Sequence, residues 1–391
     1  MDSTGPEIQP PPQAAPPAEP APDAVLTTVT AAPLPEPWET RAARWVFLGN
    51  QGLRSGWSVL LFALLFGVLA AAVGLLLVRL HLIDPKMKMD VLSFSTAFWG
   101  ELVNLVPLVG AAAVMALIER RRNLLAYNLV GPRRTLNFFS GVAAGFVALS
   151  LLVGALDWGG WLHFGAVALS GAQIYKFAGL WAVVFLMVGC VEEGIFRCYI
   201  LFTLTRGINF WWALGTAGVF SLLAFVIPKS NGPAGVCVAA LLGLLPCLWL
   251  HLKKAEGAGF WQATWVTSTI FGFIHTGNSG ESWLGIFSAA FVGFVFCVSV
   301  RLTGSAWWAI GCHGAWDWAQ SYFYGTPDSG MIATGHYLTT SPAGNPLWSG
   351  GADGPEGSVL VLGAVLFLLL LLLVLYGRRK PAMTVLERAI G

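Results

Sequence analysis

Eighteen consecutive residues from Val359 to Tyr376 carry no charge, and the run is stopped by Arg378, Arg379 and Lys380. About 20 such residues carry a helix across the hydrocarbon core of a bilayer. Backbone placed there has to satisfy its own hydrogen bonds, which only helices and closed barrels do. Nine more apolar windows precede this one, at 57–78, 97–118, 138–156, 177–203, 207–227, 234–251, 260–275, 283–300 and 304–323. The window at 260–275 is the shortest. Hydrophobic residues make up 56% of the 391 and charged residues 11%, against about 25% charged in an ordinary soluble domain. The expectation is an all-α, polytopic transmembrane helical bundle of about ten spans: a multi-pass integral membrane protein, in the inner or plasma membrane if the source is bacterial. Membrane lipids are its expected surroundings. A net charge of +2 leaves no basic footprint for nucleic acid.

The first residues are a different material. Eleven of the 22 prolines lie between Pro6 and Pro37, with six acids and no base before Arg41. Such a segment buries too little apolar surface to offset its ordering entropy. Residues 1–44 are therefore expected to form a disordered, Pro/Ala-rich cytoplasmic tail, and 45–391 the membrane-embedded domain. The tail has no basic n-region followed by an apolar h-region, so it does not read as a secretory signal. The six cysteines lie inside apolar runs with no CxxC pair, and read as small core residues.

Lys and Arg in the connections set orientation. With ten spans, sixteen bases fall on one set of connections, among them Arg120, Arg121, Arg122, Arg206, Lys253 and Lys254, and five on the other. Both termini are expected in the cytoplasm, and the long segment Tyr324–Ser358 outside.

Ionisable groups at membrane depth are costly and usually face a bundle interior or an aqueous cavity. Glu192, Glu193 and Arg197 lie in GCVEEGIFRCYI, His275 ends TSTIFGFIH, and His313 and Asp317 lie in WAIGCHGAWDWAQ; Glu101 and Asn104 fall in the second window. Glu193 and Arg197 are four apart and share a helix face, so they can pair. Glu192 points about 100° away, free to act as a general base. His313 and Asp317, and Phe271 and His275, share faces in the same way. At about 1.5 Å per residue, Glu192, His275 and Asp317 each lie about 20 Å from the cytoplasmic ends of their helices. Three helices can therefore present these groups at one level.

A carboxylate base, two imidazoles and a second carboxylate suit hydrolysis by activated water. The same four side chains, Glu192, His275, His313 and Asp317, also make a donor set for a divalent metal such as zinc. A purely structural polar network is the bland alternative, and three motifs at matching depth weigh against it.

EEGIFR (192–197) resembles the EExxxR motif of the CAAX-protease and bacteriocin-processing family, FGFIH (271–275) its FxxxH motif and HGAWD (313–317) its HxxxN motif, in the family's order. The resemblance covers roughly residues 177–325. It implies an intramembrane endopeptidase in which Glu192 activates water, helped by His275, with His313 and residue 317 on the oxyanion side. Glu193, Arg197 and Phe271 support the site. The family is described both as metalloproteases and as glutamate-dependent hydrolases, and the resemblance implies a peptide or lipopeptide substrate without naming it. Two features depart from the pattern. Residue 317 is Asp where the family has Asn, so it must be protonated, bind a metal or orient His313. About seventy residues separate Arg197 from Phe271, where two extra spans (roughly 207–251) are inserted.

The leading expectation is thus a membrane peptidase with a cytoplasm-facing cavity. The alternatives are a non-catalytic scaffold or immunity-type protein of the same fold, which Asp317 favours, and a proton-coupled transporter. Many transporter folds show internal repeats, and none is visible here. The pairs Trp211–Trp212 and Trp307–Trp308 read as interface belts or packing.

Overall fold

The computed structural model describes residues 37–49, 52–84, 91–121, 123–229, 232–278 and 280–378. The expected tail up to residue 36 lies outside these, as do Lys86, Lys88, Arg122, Arg379, Lys380 and Arg388. Two units divide at Val46 and Phe47. The short helix α1 (Trp38–Phe47) occupies the end of the tail segment and buries none of its residues.

Apolar helices dominate the second unit, and each of the ten windows coincides with one. They are α2 (Ser55–Arg79), α3 (Phe94–Ile118), α4 (Arg134–Trp158), α5 (Ala172–Glu193) running on into α6 (Leu201–Thr205), α7 (Phe210–Ala224), α8 (Ala234–Leu242) with α9 (Leu244–Leu252), α10 (Ala258–Ile274), α11 (Trp283–Thr303), α12 (Trp307–Asp317) and, after the one-turn α13 (Pro346–Ser349), α14 (Val361–Tyr376). Local signals fix several ends. Ser93 accepts from the Thr96 amide at 3.2 Å and Ser282 from the Gly285 amide at 3.1 Å, each satisfying an otherwise orphan donor. Helix α11 stops at Gly304, whose φ of 79° a side chain would resist.

Six helical stretches, namely α2, α3, α4, α5–α6, α8–α9 and α11, are long and apolar enough to cross a membrane; α7 and α14 are shorter. Only 6% of the most apolar stretch of α2 is buried in the protein, and Leu64, Val68, Leu75 and Leu117 point outward. Apolar surface on this scale is compatible with lipid and not with water. The chain is an integral membrane protein.

Helix α12 is gripped by α4 and α5 through small residues. A Cβ on Gly141 would lie 2.1 Å from Trp308 O, one on Gly145 2.1 Å from Cys312 O, and one on Gly311 2.2 Å from Phe138 O. Glycine lets helix backbones approach this closely in membranes. Helix α14 packs on α11 and α4, and Ala148, Leu152, Val295, Trp308 and Leu368 share one buried cluster. All six cysteines are free, and all but Cys190 are buried. Trp308 is buried, whereas Trp211 and Trp212 are exposed.

Strands were not expected from the sequence. β1 (Leu48–Gly49) and β2 (Gly52–Leu53) form a small antiparallel pair. β3 (Val91–Leu92) pairs in parallel with β5 (Ile332–Ala333), and β4 (Leu162–Val167) antiparallel with β6 (Leu338–Pro342). The last two ladders pin the segment after α12 to the α2–α3 and α4–α5 connections. The helix-period reading missed them because they are short and lie in connections.

Candidate active site

Two helices change pitch where the ionisable groups lie. α5 runs into a π-helical stretch at Gly194–Ile200, directly after Glu192 and Glu193, and α12 into another at Trp318–Phe323, directly after Asp317. Such insertions are rare and concentrate at functional sites. Nothing in the motif spacing marks them.

Within this frame the sequence-selected residues meet. Arg197 Nη1 donates to Glu193 Oε1 at 3.2 Å, and Nε lies 3.2 Å from Oε2. Both side chains are fully buried. The guanidinium lies 4.2 Å from the ring centre of Phe271 and 5.4 Å from that of Phe296, which supplies cation–π stabilisation. Space for it comes from Gly293, where a Cβ would lie 2.6 Å from Arg197 Nη2. Asn128 Nδ2 holds the Arg197 carbonyl at 2.8 Å, a bond between segments 69 residues apart that no motif signalled.

Glu193 does more than pair with arginine. His313 Nδ1 lies 2.9 Å from its Oε1. A carboxylate can only accept, so Nδ1 carries the proton and Nε2 is turned the other way. Nε2 lies 3.8 Å from Glu192 Oε2 and 3.6 Å from Asp317 Oδ2. Glu193 thus orients the imidazole, a role that helical spacing alone offered to Asp317. His275 is fixed similarly: Nδ1 lies 2.7 Å from the Phe271 carbonyl, which leaves Nε2 as its available lone pair. Glu101 of α3 lies within electrostatic reach of Glu192 and His313.

A narrow cavity of about 60 Å³ is lined by Phe271, His275, His313 and Asp317 on one side and by Val361, Val365 and Leu368 of α14 on another. Glu192 does not line it; the half-buried Glu192 carboxylate adjoins it across His313. Glu281 and Glu356 also line the cavity, and both belong to connections that the charge bias assigns to the outside.

The sequence singled out neither acid, since acids in connections look like solvated charges. Here they are enclosed. Trp316 Nε1 donates to Glu356 Oε1 at 2.7 Å, and Asn278 Nδ2 to Glu281 Oε2 at 3.2 Å. Burial, followed by neighbouring carboxylates, pushes Glu356 well above the usual carboxylate range and Asp353 up to about 8.

The metal reading is not supported by the donors. Among the described residues, no three His, Cys, Asp or Glu side chains are arranged to hold an ion. Glu192, His275, His313 and Asp317 do not form such a group.

Comparison with known families points the same way as the motifs. The family model of the type II CAAX prenyl endopeptidase Rce1-like proteins matches residues 174–254 and 247–319. This region is similar to that family. The matched stretches contain Glu192, Glu193, Arg197, Phe271, His275, His313 and Asp317, and all the helices from α5 to α12. No curated protein and no solved structure matches the chain. The matched family is described as CAAX prenyl endopeptidases.

Proposed function

We propose that the chain is an intramembrane endopeptidase of about ten spans with both termini cytoplasmic, hydrolysing a peptide or lipopeptide by glutamate- and histidine-activated water. The observation that carries this reading is the single constellation from two helices, α5 and α12, in which Glu193 holds His313 Nδ1 at 2.9 Å while His313 Nε2 faces Glu192 and Asp317. Fixed orientation of this kind is what acid–base catalysis needs.

In the proposed reaction Glu192, with His275, takes a proton from water as its oxygen attacks the scissile carbonyl carbon. His313, protonated at Nε2, donates to the developing oxyanion. The C–N bond then breaks, and the proton held by Glu192 passes to the departing amine nitrogen. Asp317 stands on the oxyanion side beside His313. Arg197 neutralises Glu193 so that the carboxylate stays buried and keeps its hold on the imidazole.

The experiment is cleavage of a broad fluorogenic peptide and lipopeptide library by the purified full chain in detergent, beside Glu192→Ala and His275→Ala. Cleavage by the wild type that both variants lose supports the reading. A folded wild type that cleaves nothing overturns it and favours the scaffold alternative.

A further inference from the structure

His275, His313 and Asp317 occupy one end of the cavity; the other end is acidic, and no Lys or Arg is in the lining. Glu281 precedes α11, 5% exposed, and Glu356 precedes α14. A third acid stands just behind them. Asp353 is 1% exposed. Neither of its carboxylate oxygens completes a hydrogen bond, although the Ser282 amide lies close enough to favour its charge. Its aim is set by Gly285, a residue of the cavity wall. The Cβ that Gly285 lacks would sit 2.4 Å from Asp353 Oδ2 and 2.4 Å from Glu281 Oε1. Two carboxylate oxygens, one without a partner, thus converge over a gap in the wall that only glycine leaves open. Lys229, the base in their field, donates instead to the Asn278 carbonyl, and among the described residues it forms no ion pair with either acid.

Buried carboxyl groups facing one another without a compensating cation hold their protons, and a cation placed between them displaces a proton and takes over its role. The position of the group says which cation. His275 lies within the field of Glu281, and Trp316, which binds Glu356, is the immediate neighbour of Asp317. The acidic end therefore shares one cavity with His275, His313 and Asp317.

We propose that Glu281, Glu356 and Asp353 form a cation-recognising subsite that takes a lysine or arginine side chain of the substrate next to the scissile bond. This rests on the peptidase reading and names the substrate class it selects. Lysine and arginine can lay their methylene stems along Val361, Val365 and Leu368 and deliver only the charged head to the acids.

The test separates the subsite from the chemistry. A fluorescein-labelled apolar peptide with one central lysine is titrated against the full-length Glu192→Gln protein in detergent, followed by fluorescence anisotropy, beside counterparts with norleucine or glutamate in place of the lysine. The expected order is lysine over norleucine by at least about tenfold, with glutamate weakest. Glu281→Gln combined with Glu356→Gln brings lysine and norleucine within about twofold. Equal binding of the three peptides to the Glu192→Gln protein overturns the subsite without any loop variant having to fold, and so does a preference that survives the double substitution. Wild-type cleavage of the same peptides provides the second arm. Selective binding without cleavage overturns the peptidase reading and leaves the subsite standing; cleavage blind to the lysine overturns the subsite alone.

Discussion

Replacing Gly145 by alanine tests how the site is held. Gly145 lies on α4, far along the chain from every motif, yet its missing Cβ would fall 2.1 Å from the Cys312 carbonyl oxygen and 3.1 Å from Cys312 Cα. Cores packed to crystal-like density have no slack to absorb that, so α12 has to retreat by about 1 Å. His313 follows Cys312 directly. A displacement of that size disturbs its 2.9 Å contact with Glu193 of α5. The expected cost is about 1–3 kcal/mol of stability from overpacking and roughly a hundredfold in activity from the misplaced imidazole. Gly154→Ala on the same helix is the control. No atom lies within 4 Å of its added carbon, and alanine is the better helix former by about 0.5–1 kcal/mol. Both variants are assayed by thermal unfolding in detergent and by cleavage of one library substrate. Gly145→Ala with wild-type stability and activity, or Gly154→Ala as damaging as Gly145→Ala, refutes the reasoning.

Three further outcomes follow from the same geometry. Arg197→Met leaves Glu193 charged and fully buried without its partner, which is expected to cost about 3–5 kcal/mol; an unchanged thermal midpoint counts against the pair. Asp317→Asn exchanges an acceptor for a donor on the oxyanion side, so kcat is expected to match or exceed the wild type, by up to about a hundredfold, and a large loss shows that the carboxylate itself is needed. Asp353 keeps its proton up to about pH 8 in the fold, whereas the unfolded chain releases it near the ordinary 3.8. The folded state then binds the extra proton, and stability falls as pH rises between those values. Asp353→Asn is expected to unfold at a higher temperature than the wild type near pH 8 and at the same temperature near pH 4; the reverse order contradicts the burial.

Most of the helices were legible because apolar length is a local property. The window 57–78 became Ser55–Arg79, and the one at 138–156 became Arg134–Trp158. The motif residues were legible because charge inside an apolar run is conspicuous, and their shared depth followed from the helical rise. Other features were hidden by their distance in sequence. Glu193 joins a residue 120 positions away, and i,i+4 spacing could reveal only Arg197. Gly141 and Gly145 count as ordinary helix glycines until α12 is laid against them. Glu281, Asp353 and Glu356 sit in connections rich in Gly, Pro and Ser, where sequence gives no sign of burial. The β4–β6 ladder also pairs segments more than 170 residues apart, beyond any periodicity signal.

The most direct test of the central claim follows the oxygen. One cleaved substrate is digested in H2(18)O by the wild type and by Glu192→Gln, with thermal unfolding confirming that both are folded, and the new C-terminal carboxyl is read by mass spectrometry. One solvent oxygen per cleavage is expected from the wild type, and a rate lower by at least about a hundredfold from Glu192→Gln. Cleavage by Glu192→Gln at the wild-type rate, or products without the heavy oxygen, contradicts it.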